Sequence, residues 1–174
     1  MVKVVRFIYM DDEANKNKKL QSNILKVKLV DPEFNPISPQ KNGDWIDIAI
    51  PKDVTIEKDD FRLIDLGFAA KIPVGYEAHV LPRSSTFMKY GIIMANSMGI
   101  IDNSYSGDDD IWKFPAYAIK NTHIEKGTRI AQFRIVKTMD SGFIDGAETF
   151  DPRYIYVVSH LDESNRGGFG STGN

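Results

Sequence analysis

The chain has 174 residues, 42% of them hydrophobic, with 22 Lys and Arg against 24 Asp and Glu and a formal net charge of -2. That length suits one domain with a real core, and the scatter of basic residues offers no face to a polyanion, so a nucleic-acid duplex is not an expected partner. Cysteine is absent and the three histidines are scattered, which removes disulfides, thiol nucleophiles and cysteine-held zinc from consideration. No apolar run reaches the roughly 18 residues of a membrane span, and the start lacks a signal-peptide core, so a cytoplasmic protein away from membranes is expected.

Taken in chain order, apolar residues form short runs: KVVRFIYM, ILKVKLV, WIDIAI, FRLIDLGFAAKI, EAHVLP, YGIIMAN, GIID, YAIK, RIAQFRIV and YIYVVSHL. Turn formers such as Asp31-Pro32, Asn42-Gly43, Lys126-Gly127 and Asp151-Pro152 separate them. Many short strands with close turns predict an all-β jelly roll or β-barrel. One short helix is expected at FMKY, with Ser84 or Ser85 as its cap. VVRFIYMDD and LKVKLVDPE resemble each other, and the second lies nearer the motif-bearing segments of the chain. Residues 1–24 therefore read as an N-terminal extension, a strand and polar turn on the surface of a single domain, 1–174. Residues 164–174, rich in glycine, read as a mobile C-terminal arm.

The chemistry-bearing residues sit in and around four boxes. Asp102 ends an apolar run at a turn, where a carboxylate either takes a proton from water or satisfies nearby amides. Tyr105 follows three residues on; its ring either packs beneath a bound sugar, leaving no room for a 2′-hydroxyl, or packs on the core. Arg83, Ser84 and Ser85 follow Pro82, and small donors after a proline bend gather round phosphate oxygens or cap the helix. Gln132 either aims an amide at a phosphate or faces solvent. In the arm, glycines let the main chain wrap closely while Ser171 and Thr172 offer hydroxyls and Arg166 supplies charge; a tail without a partner is the other reading. Asp108, Asp109 and Asp110 form a tight acidic run. Adjacent side chains splay, so they read as a solvated face rather than a cation site.

In one order, PRSSTF (Pro82 to Phe87), GIIDNSYSG (Gly99 to Gly107), KGTRIAQF and RGGFGSTG resemble the trimeric dUTPase family, in its bacterial and phage-like branch, over residues 24 to 174. The resemblance implies a jelly-roll homotrimer with active sites shared between subunits. One subunit would give the uracil-reading hairpin, a neighbour the PRSS box and another the arm. It implies hydrolysis of dUTP to dUMP and pyrophosphate, limiting uracil in DNA and supplying dUMP, with Mg²⁺ bound mainly through the triphosphate. Asp102 would activate the water that attacks the α-phosphorus, and Asn96, Met98, Gly99 and Ile101 would pair with uracil through the main chain. Ser84 and Arg83, with Ser85, would face the leaving pyrophosphate, beside Gln132. Arg166 would meet the γ-phosphate, Phe169 would cover the base, and Gly170, Ser171 and Thr172 would wrap the phosphates. Asp47, in WIDIAIP, matches the aspartate that holds the metal's water shell, whereas Asp65 stands too close to PRSS.

Two departures from the family stand out: Thr128 replaces the usual aspartate, and the arm is two residues short between Arg166 and Gly167. The short arm puts Phe169 in competition with Trp112 or Phe114 as the cover of the base. Alternative functions are a nucleotide-gated module that binds a regulatory protein partner, for which residues 1–24 and 137–160 offer surface, and dCTP deamination, for which the central boxes lack a glutamate.

Overall fold

A computed structural model describes residues 6–10, 24–40, 43–139 and 154–169; Gly170, Ser171 and Thr172 lie outside the described residues. Two sheets carry the architecture. One has six strands in the order β1 (Arg6–Tyr9), β13 (Tyr154–Val157), β2 (Leu25–Leu29), β6 (Phe61–Lys71), β10 (Ile111–Ala118), β8 (Ile92–Met94). The other has five, in the order β3 (Ile37–Pro39), β4 (Ile46–Ala49), β12 (Arg129–Lys137), β7 (Tyr76–Pro82), β9 (Gly99–Ile101). A two-stranded ribbon pairs β5 (Val54–Ile56) with β11 (Thr122–Ile124). The expected all-β class is the one found.

Period-two patterning drives the layers together. Leu25, Val27 and Leu29 turn inward from β2, with half-buried Lys26 and Lys28 between them. Tyr76, Ala78 and Val80 do the same from β7. Between the sheets, Trp112 of β10 lies 4.9 Å from the ring of Phe68 on β6 and 5.2 Å, edge-on, from Phe133 on β12. Such tilted and T-shaped pairs suit the ring quadrupole. Trp112 and Phe114 are 0% exposed, so neither covers a bound base; both are interior residues on the inward face of β10.

The expected helix is α1 (Thr86–Tyr90). Ser85 stands at its N-cap position but makes no side-chain capping bond. Instead the buried Thr86 hydroxyl donates to the Ile130 carbonyl at 2.7 Å, fixing the helix start to β12.

The stretch read as a uracil hairpin has another topology. β8 pairs with β10 in the six-stranded sheet, and β9 pairs with β7 in the five-stranded one. The turn between them crosses from layer to layer. Its Ala95 amide donates to Pro115 O at 2.8 Å, and Ser97 takes a φ of 62°. β9 is thus an edge strand, with one side of its main chain unclaimed by the sheet.

β1 does not pair with β2 despite their similar sequences. β13 lies between them, parallel to both, with Ile155 opposite Leu25 and Phe7. Part of the 137–160 segment is therefore sheet interior, with Ile155 and Val157 buried. No helix among the described residues is long and apolar enough to cross a membrane.

Candidate active site

Immediately after β9, the chain turns on Asp102. The Ser104 amide donates to Asp102 Oδ1 at 2.8 Å, and the Ser104 hydroxyl donates to the same oxygen. Arg166 Nη1 donates to Oδ2 at 2.6 Å. Burial pushes this carboxyl up, but the two Ser104 bonds and the Arg166 guanidinium outweigh it and hold the group below its ordinary value. Asp102 is thus ionised at neutral pH, as a proton acceptor must be.

Beside it lies a cavity of about 220 Å³ lined by Asn96, Gly99, Ile101, Tyr105, Arg166 and Phe169, with Ile100, Lys113, Gly167 and Gly168. Gly99, Ile100 and Ile101 of β9, an edge strand, line this cavity. Met98 does not line it, and its amide donates within the turn to Asn96 O at 2.6 Å. Tyr105 serves both the core and the site. It is 8% exposed and packed in the core, its hydroxyl donates to Ile111 O at 3.0 Å, and its ring still forms part of the wall. Burial, then the nearby Asp110 and Asp65 carboxylates, push its hydroxyl up, so it stays a protonated donor.

The arm reaches this cavity within the same chain. Arg166 and Phe169 both line it, despite the short spacing. The arm's main chain is held chiefly by Asp110. The acidic run is not simply a solvated face: Asp109 is exposed but Asp110 is buried, and each of the three carboxylates accepts from the C-terminal segment.

A second depression, of about 630 Å³, is lined by Asp47, Arg83, Ser84, Arg129 and Gln132, with Pro39, Gln40, Gly43 and Trp45. It shares no lining residue with the first. Gln132 sits directly across from Asp47 in the β12–β4 ladder and donates from Nε2 to Pro82 O at 3.3 Å. Asp47 is 1% exposed, with Arg83 Nε 2.9 Å from Oδ1, Arg129 Nη1 3.1 Å from Oδ2, and Gln40 donating to Oδ2. A carboxylate so occupied by cations does not fit a metal's water shell. Among the described residues no group of three or more His, Cys, Asp or Glu could hold a metal ion.

Sequence reasoning missed Arg129, Lys113 and Asp110. Arg129 could have been found from its place in the same GTRIAQF box as Gln132, two strand positions before Ala131. Lys113, paired with Asp65 at 3.0 Å, and Asp110 carry no local signal.

The sequence profile of the dUTPase family matches residues 33–173. The chain belongs to the dUTPase family. Among its relatives, the SPbeta prophage-derived deoxyuridine 5'-triphosphate nucleotidohydrolase YosS of Bacillus subtilis (strain 168) is 49% identical over 149 residues, 86% of this chain and 97% of the relative. The deoxyuridine 5'-triphosphate nucleotidohydrolase of Maricaulis maris is 35% identical, over 78% and 84% of the two chains. Among solved structures, the Streptococcus mutans dUTPase shares the fold, with a TM-score of 0.59 at 20% identity over 70% of this chain and 99% of that one. The Staphylococcus bacteriophage 80alpha dUTPase gives a TM-score of 0.54 at 27% identity, over 67% and 91%, and phage dUTPases are described with it as controlling transfer of virulence genes by a proto-oncogenic G protein-like mechanism. This dUTPase-family chain thus has both bacterial and phage relatives.

Proposed function

We propose that the chain is a cytoplasmic dUTP diphosphatase, a homotrimer of single-domain subunits that takes dUTP as its Mg²⁺ complex and releases dUMP and pyrophosphate. The observation that carries this reading is an ionised Asp102 beside a cavity walled by the open edge of β9 and by Tyr105. Asn96, Gly99 and Ile101 offer main-chain groups that accept uracil's edge and mismatch cytosine's amino group. The Tyr105 ring excludes a 2′-hydroxyl. Asp102 takes a proton from water as its oxygen bonds the α-phosphorus. The bond from that phosphorus to the bridging oxygen breaks, and the electron pair leaves with pyrophosphate. Arg83 and Ser84, with Ser85 and Gln132, meet that departing charge, while Arg166 and the residues after Phe169 meet the γ-phosphate. Alignment of carboxylate, water and phosphorus supplies much of the acceleration.

The test is turnover of dUTP, dCTP, dTTP and UTP, each with Mg²⁺, followed by nucleoside monophosphate and pyrophosphate. We expect dUMP and pyrophosphate from dUTP alone; ammonia from dCTP would move the assignment to deamination.

Two depressions without a common wall favour a site completed between subunits. Mixing Asp102→Asn subunits with Arg83→Ala subunits, each inactive by itself, is expected to restore part of the activity, because some interfaces then combine an intact Asp102 with an intact Arg83. No recovery after subunit exchange would place the whole site in one chain.

A second reading, a nucleotide-gated module for a protein partner, draws on the Arg166–Asp102 pair. A nucleotide phosphate competing for Arg166 would change the arm's resting place and hence its exposed surface. An Asp102→Asn protein that still performed the cellular role would favour it.

A further inference from the structure

The residues after Gly107 meet the C-terminal segment one after another. Asp108 accepts the Leu161 amide at 2.7 Å and faces His160 Nδ1 at 2.7 Å. Asp109 and Asn165 exchange two bonds, Asp109 N to Oδ1 at 2.9 Å and Asn165 Nδ2 to Oδ2 at 2.8 Å. Asp110, 2% exposed, takes Gly107 N at 2.9 Å and Arg166 N at 2.8 Å on Oδ2, and Gly167 N at 2.8 Å on Oδ1. Three amides on one buried carboxylate form the strongest grip of the set, since bonds to an ionised acceptor are shorter and stronger than neutral ones. Gly167 reaches it with a φ of 72°, which reverses the arm between Arg166 and Phe169. Gly107 completes the seat by having no side chain: a Cβ there would lie 2.4 Å from Asn165 Cα and 2.6 Å from its nitrogen.

We infer that Asp110 is a positioning residue for dUTP turnover, with Gly107 as its seat: it fixes the main chain of Arg166 and Gly167 and so keeps Arg166 and Phe169 at the base cavity. The inference rests on the diphosphatase reading for its kinetics and on the docking geometry for the rest. It also offers a reason why an arm two residues short can serve, because the grip falls at the point where the two residues are missing.

Two measurements test it. Trypsin cuts after Arg166, between the two arm amides that Asp110 holds. Release of the peptide 167–174, followed by mass spectrometry, is expected to quicken about tenfold or more in Asp110→Asn and in Gly107→Ala, the loss of a charge-assisted bond being of that size. Gly107→Ala leaves every carboxylate in place, so it decides the matter even where Asp110→Asn folds poorly. Equal release from all three proteins overturns the inference, whether or not dUTP is the substrate. With dUTP, Asp110→Asn is expected to raise KM about tenfold in the otherwise intact protein, and by less than about twofold once Arg166→Ala and Phe169→Ala are already present. The same factor in both backgrounds means that Asp110 acts on the fold and not through the arm, and overturns the inference.

Discussion

Asp102→Asn is expected to lower kcat for dUTP by about 10²- to 10⁴-fold, the contribution of a well-placed general base, with dUTP binding retained. The amide keeps the shape and one acceptor of the carboxylate but takes no proton. The pH profile sharpens the test. Ser104 and Arg166 together hold Asp102 below its ordinary value against the opposing effect of burial. The acid limb of kcat/KM for the free enzyme then lies below about pH 4, where an unperturbed carboxyl titrates. Arg166→Ala moves that limb upward, because the guanidinium favours the ionised form. Stability follows the same sign: a depressed carboxyl stabilises the fold above about pH 4 and loses that contribution as pH falls through its lower folded-state value. Near-normal turnover by Asp102→Asn would rule out the base role.

Asp47→Ala is expected to cost about 2–3 kcal/mol of stability, near or below the lower end for breaking a buried ion pair, and to raise KM for dUTP. The buried member of the cluster is removed, but Arg83 and Arg129 keep partial contact with water and can turn outward. Their mutual repulsion then goes unanswered, and Arg83 loses the partner that holds it in the second depression. Urea titration reads the first effect and initial rates the second. Raising Mg²⁺ is the discriminating step. A clamp on two arginines is not restored by excess metal, whereas a role in the metal's water shell would be largely rescued by it.

Much of the site was legible because its chemistry demands given residue types at short spacing. Asp102 and Tyr105 lie three residues apart in one turn, and Arg83 and Ser84 are adjacent. What escaped depended on partners far along the chain. The family resemblance implies a hairpin around Asn96 to Ile101, yet β8 is claimed by β10 and β9 by β7, a choice no local pattern encodes. Asp108 to Asp110 look solvated until residues 160–167 fold back on them. Only the YAIK end of β10 reads as a strand, since Pro115 argues against an interior one; its carbonyl accepts from the Ala95 amide. Trp112, Phe114, Ala116 and Ala118 recur every second residue and are all fully buried, so the signal placing both aromatics in the core was present in the sequence.

The place of β13 bears on how the protein is made. The first strands to leave the ribosome, β1 and β2, are separated in the sheet by nearly the last, and among the described residues β13 is the strand that holds β1. Throughout translation the outer edge of β2 therefore waits unpaired, open to any extended segment of a neighbouring nascent chain. When β13 does arrive, it brings Leu161, Asn165 and Arg166 to their acidic partners a few residues later. Completion of the sheet and closure over Asp102 are thus coupled events, and a product released before residue 154 has neither.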